Sequence, residues 1–191
     1  MKLVCGVGEL GFPAMFAEAE RRIVLHAAVY GPFAKSKPHI QGLEKALSRP
    51  GFSSLDIIAM VPAGENGWDE PFLSALRFGA SIQSAADELK SSISFLNGLA
   101  ERFPGKVNVY AAHDLPCLPL VIVDNRICFG QYAHACFHAP DGFWGCVEAD
   151  VEALFGWAES GYVPQNASAD EIAAFRLVSE CSSAMKSGDL L

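Results

Sequence analysis

The stretch Lys106–Gly130, KVNVYAAHDLPCLPLVIVDNRICFG, decides how this chain is read. Its two apolar arms, Lys106 to Ala112 and Leu120 to Phe129, have the composition of buried strands, and a short Pro-punctuated connection joins them. The second arm carries a single acidic residue, Asp124. A carboxylate in a buried strand has to be paired or hydrogen-bonded, so Asp124 marks either a working site or the remains of one.

Working outward, the pattern is one of alternating helices and strands. Before the central stretch, the spacing predicts a helix from Phe12 with Pro13 in its first turn and a strand over Arg22 to Tyr30. GPFAKSKP is expected as a loop, followed by a helix over His39 to Leu47 and a strand over Leu55 to Val61. Helical segments follow over Trp68 to Phe78 and Ser81 to Phe103, the second with Ile82, Ala86, Leu89, Ile93 and Leu96 on one face, as core requires. Beyond the stretch, Gly142 to Ala149 reads as a strand, and Asp150 caps a helix over Val151 to Glu159. Ser168 and Glu171 stand in capping-box register ahead of a last helix reaching about Lys186.

At 191 residues the chain is most simply one domain. Its expected organisation is an α/β domain over residues 1–161 and a C-terminal capping helix with a frayed tail over 162–191. The formal charge of -8 and the scattering of Lys and Arg make direct non-specific nucleic-acid binding unfavourable. No secretory core and no run of membrane-spanning length is visible, and the six cysteines have no framework spacing, so a cytoplasmic chain with reduced thiols is expected.

Gly6-x-Gly8-x-x-Gly11 is formally a dinucleotide-binding fingerprint, but the following strand ends in Ala-Ala-Val-Tyr, without an acidic residue for a ribose. Nucleotide-dependent redox chemistry is therefore the weaker alternative to a glycine-rich entry loop, and no cofactor is expected. His26, inside a buried strand, reads as a core histidine. His134, Cys136 and His138 alternate and could face one way on extended backbone, with Cys128 or Cys146 as a fourth zinc ligand, although no chelating pair anchors them.

The element order together with PLVIVDNRICFGQ resembles a single half of the phospholipase D-like superfamily, over roughly residues 12 to 160. The resemblance implies a mixed β-sheet flanked by helices on both faces. In that family an H-x-K-x4-D motif precedes a Gly-Ser-x-Asn turn. Two halves, fused or paired as a homodimer, meet around one phosphodiester, with one His as nucleophile, the other as acid, and Lys and Asn binding phosphate. Laid on this chain, the motif puts Asp124 at its Asp, Pro119 at its Lys and Cys117 at its His, and the following turn reads Gly130-Gln131-Tyr132-Ala133. Proline has neither donor nor charge, so the resemblance implies a catalytically degenerate homodimeric module for binding or regulation. Asp124, Arg126 and Gln131 are its candidate ligand contacts.

The alternative is an active hydrolase or phosphodiesterase using Cys117 with His113 four residues away, and Asp124 as a third candidate. Tyr132, Phe137, Phe143 and Trp144 could together expose an aromatic patch, so the face from Cys117 to Trp144 is the expected dimer interface, unless these rings pack inside.

Overall fold

A computed structural model describes residues 1–61, 69–77, 79–132 and 139–191. One mixed sheet organises the chain, with strand order β1-β7-β6-β5-β2-β3-β4-β8. Its strands are β1 (Lys2–Cys5), β2 (Arg22–Ala27), β3 (Ser54–Met60), β4 (Val107–Ala112), β5 (Leu120–Val123), β6 (Arg126–Gly130), β7 (Phe143–Glu148) and β8 (Asp189–Leu190). The central strands β2, β3 and β4 run parallel, and the remaining pairs are antiparallel.

Period-two alternation sorts the side chains onto two faces. Ile23, Leu25, Ile57, Val109, Val121 and Cys128 pack under α1 (Phe12–Glu18), α3 (Lys37–Leu47) and α5 (Ile82–Arg102). Val24, Ile58, Ile122 and Ile127 pack under α6 (Val151–Ser160) and α7 (Ala169–Ser187). The expected α/β sheet with helices on both faces is therefore present. Two shorter helices, α2 (Gly31–Lys35) and α4 (Asp69–Leu76), stand near the carboxyl ends of the parallel strands. The crossing of α1 on α3 depends on Gly42: a Cβ there would lie 2.5 Å from the Pro13 carbonyl oxygen. Among the described residues no helix is long and apolar enough to cross a membrane.

The structure changes four local expectations. The second arm of the central stretch is a hairpin, with Asp124 and Asn125 forming the two-residue turn between β5 and β6. Asp124 takes φ 49°, in the left-handed region that Asp tolerates better than most residues. The first buried strand stops at Ala27 because Tyr30 folds back over its end. The Tyr30 hydroxyl accepts from Ala27 N–H at 3.0 Å and donates to the Ile58 carbonyl at 2.7 Å. GPFAKSKP, expected as loop, supplies α2 and the start of α3, each with a proline in its first turn. The tail, expected to fray, pairs as β8 on β4.

The glycine triad lies between β1, an edge strand antiparallel to β7, and α1, with a 3-10 turn over Val7–Leu10 between them. A dinucleotide fingerprint needs its strand inside a parallel βαβ unit; here β2 does not pair with β1 at all. The nucleotide reading is corrected on this ground. Gly11, at φ 67°, serves as the left-handed residue that turns the chain into α1.

Candidate functional site

The candidate motif residues fall at two opposite ends of the sheet. β5 runs antiparallel to β2 from Leu120, opposite His26, to Val123, opposite Ile23. Four residues of strand span roughly 13 Å, so Asp124 and the Cys117–Pro119 segment cannot share one ligand of phosphodiester size. Asp124 instead ties the amino end of β2. Its Oδ1 accepts from the N–H groups of Arg21 (2.8 Å) and Arg22 (3.1 Å), its Oδ2 accepts from Glu20 N–H (2.9 Å), and its own N–H donates to the Arg22 carbonyl (2.9 Å). Arg126, at this same end, lies beside Glu148, whereas Gln131 follows β6 at the other end. The three candidate ligand contacts are thus not brought together.

The carboxyl ends of the parallel strands, where open α/β sheets usually hold ligands, are a different place. There His113, Asp114 and Cys117, from the connection after β4, meet Glu180 and Ser183 of α7 and His26 of β2 around a cleft of about 200 Å³. His113 Nε2 lies 3.0 Å from Asp189 Oδ2 of β8. Cys117 lies beside Glu180, and the carboxylate's charge, with some burial and a hydrogen bond, pushes the thiol up from its ordinary range. A raised thiol is a poor nucleophile at neutral pH. Among the described residues lining the cleft there is no Lys or Arg.

His26 also lines a second, mostly apolar cavity of about 120 Å³, walled by Phe33, Leu76, Pro119, Tyr132 and Trp144. Arg77 at its edge is held by Glu88 in a two-pronged ion pair, Nε–Oε2 2.6 Å and Nη2–Oε1 2.8 Å. Among the described residues, His26 Nδ1 and Tyr132 Oη are buried without a hydrogen bond. Tyr132 Oη lies close to the Ala28 backbone, but not in bonding geometry. Burial lowers the His26 pKa to about 4 and so holds the imidazole neutral. The sequence places His26 in the core, and it is there, at 3% exposure. What sequence reasoning misses is that its ring nitrogen stays unsatisfied, and that Glu180, some 60 residues from the motif, faces Cys117.

The expected aromatic interface is also rearranged. Trp144 (4% exposed) packs edge-on against Phe12, and Tyr132 (8%) against Phe72, leaving Phe143 at the surface. The homodimer face from Cys117 to Trp144 thereby loses the patch that argued for it. His134, Cys136 and His138, and with them Phe137, lie outside the described residues.

No protein-family model matches the sequence, and no curated protein matches it. Solved structures similar to the chain include the following two. Phosphatidylserine synthase from Haemophilus influenzae Rd KW20, a phospholipase D-like enzyme, matches over 99% of this chain and 39% of its own, at TM-score 0.55 and 14% identity. TrmBL2, an archaeal chromatin protein described as showing a novel mode of DNA binding, matches over 84% of this chain and 50% of its own, at TM-score 0.43 and 18% identity. The chain thus spans half the length of one neighbour and less of the other. The synthase supports a phospholipase D-like fold. The expectation that direct non-specific nucleic-acid binding is unfavourable is corrected to this extent: one of the neighbours is described as a DNA-binding protein, which is a property of that protein.

Proposed function

We propose that this chain is a phospholipase D-like domain that binds a small, uncharged ligand and does not hydrolyse phosphodiesters. The ligand reading rests on one observation: His26 and Tyr132 line an apolar cavity, and among the described residues their Nδ1 and Oη are buried without a hydrogen-bond partner. A buried polar group without a partner costs about 1–3 kcal/mol, and a ligand supplying one hydroxyl or carbonyl recovers part of that. A space of about 120 Å³ suits a single ring or a short chain, not a phospholipid headgroup.

The loss of hydrolysis is read from the same end of the sheet. Phosphoryl transfer needs a nucleophile and a cation on the equatorial oxygens. Cys117 and Pro119 stand where the resemblance places the His and Lys, and the carboxylate of Glu180 faces the thiol. That charge repels an anionic phosphodiester where a cation should attract it.

Thermal unfolding with phenol as the probe tests the ligand reading, with toluene as its isostere lacking a hydroxyl and inorganic phosphate as the anion. Phenol at ten times its Kd stabilises by about 1.4 kcal/mol, which raises Tm by roughly 3–6 °C for a chain of this size. The shift falls in His26→Phe and Tyr132→Phe. A phenol shift no larger than that of toluene, or a shift with phosphate alone, overturns the reading.

A further inference from the structure

On the opposite half of the sheet, away from the cleft, Cys128 of β6 and Cys146 of β7 are register partners. The backbone decides how near they come. The Asn125 carbonyl accepts from Ala149 N–H at 2.9 Å, which makes 125 and 149 a hydrogen-bonded pair. Antiparallel pairs alternate, so 127–147 is bonded and 128–146 is not. Residues in a non-bonded pair have Cα atoms about 4.5 Å apart, inside the window a disulfide requires. The two sulfurs point to one face and already lie 2.8 Å apart, with the Cys128 thiol donating to Cys146. Closing to a bonded distance of about 2.05 Å asks for side-chain rotation, not strand movement.

The two thiols have different surroundings. Cys128 is fully buried in the core under α1. Cys146 is half-buried and lines a surface groove with Lys2, Leu10, Arg126 and Glu148. Its pKa is lowered to about 7, chiefly because its thiolate accepts the Cys128 S–H, with the charges of Arg126 and Lys2 assisting against burial and Glu148. Cys128 moves the other way, raised by its bond to Cys146 and by burial.

We infer that Cys128 and Cys146 are a redox-responsive dithiol, which low-molecular-weight disulfides oxidise to a cross-strand disulfide. The Cys146 thiolate attacks one sulfur of the disulfide RSSR, forming a mixed disulfide and releasing RS⁻. Cys128 then loses its proton to the released thiolate and attacks the Cys146 sulfur, breaking the mixed disulfide and expelling the second RS⁻. The two cysteines lose two electrons and two protons, and RSSR is reduced to two RSH. Cys146 is the attacking thiol because it is the one within solvent reach, and Cys128 the resolving thiol because it lies within contact distance in the core.

A pKa lowered to about 7 leaves more of Cys146 as thiolate at neutral pH than an ordinary thiol has, and the thiolate is the attacking species.

The test uses the full chain, reduced, desalted and incubated under native conditions with oxidised glutathione, then acid-quenched, alkylated and mapped by mass spectrometry. The expected product is a peptide cross-link between Cys128 and Cys146 with a mass loss of two hydrogens, reversed by dithiothreitol. In Cys128→Ser the glutathione adduct accumulates on Cys146, and in Cys146→Ser Cys128 stays unmodified. A cross-link that involves Cys5 or Cys117 in place of this pair overturns the inference. So does a wild-type chain whose Cys128 and Cys146 remain free thiols, or a Cys128→Ser chain whose Cys146 takes up no glutathione.

Discussion

Replacing Asp124 with Ala should unfasten the amino end of β2 without touching the cleft at the other end of the sheet. The carboxylate receives three backbone N–H groups, those of Glu20, Arg21 and Arg22, at 2.8–3.1 Å. Hydrogen bonds to a charged group contribute about 1.5–3 kcal/mol each when buried, but two of these donors are exposed and regain water. A net loss of about 2 kcal/mol is reasonable on that count. Alanine at φ 49° adds roughly 1 kcal/mol of left-handed strain, for a total near 3 kcal/mol. Asp124→Asn keeps one acceptor and tolerates the backbone, and should lose about half as much. Urea unfolding measures both: the midpoint falls at unchanged slope, and Tm drops by roughly 6–12 °C for the alanine variant. A loss under about 1 kcal/mol in Asp124→Ala, or a larger loss in Asn than in Ala, refutes the reasoning that backbone capping explains this carboxylate.

Two further outcomes follow from the cleft. His26 is neutral in the fold with a pKa near 4 and takes its ordinary 6.5 when unfolded, so the unfolded chain binds more protons. Its effect on stability is absent above pH 6.5 and grows as the pH falls towards 4, reaching about 2 kcal/mol at pH 5. Between pH 7.5 and pH 5 the wild type should therefore lose about 2 kcal/mol more stability, measured by urea unfolding, than His26→Phe does; parallel losses contradict the assignment. Separately, Glu180→Gln removes the charge that raises the Cys117 thiol, so iodoacetamide should alkylate Cys117 faster at pH 8 than in wild type, and an unchanged rate contradicts the contact.

The sheet, its helical layers and the caps at Asp150 and Ser168 are legible in the sequence because each depends on local pattern: runs of Val and Ile, helical spacing, and an oxygen-bearing residue before a helix. The hairpin inside Leu120 to Phe129 was legible too, since Asp-Asn in an apolar run is a turn signal; treating Asp124 as a motif letter hides it. The end of β2 is different. It depends on a hydroxyl reaching the carbonyl of Ile58, 28 residues onward, and no local pattern carries that contact. The cleft is likewise assembled by topology. Glu180 reaches Cys117 only because α7 crosses the sheet back to the carboxyl ends of the parallel strands. An unsatisfied nitrogen on His26 depends on what surrounds it in three dimensions, which a residue type cannot state.

The proposed function turns on a phospholipase D-like fold whose cleft does not hydrolyse phosphodiesters. Steady-state turnover of bis(4-nitrophenyl) phosphate by the purified chain tests this most directly, with Cys117→Ala in parallel. The account predicts nitrophenolate release at the buffer rate for both proteins. Release above that rate by the wild type, abolished in Cys117→Ala, contradicts it.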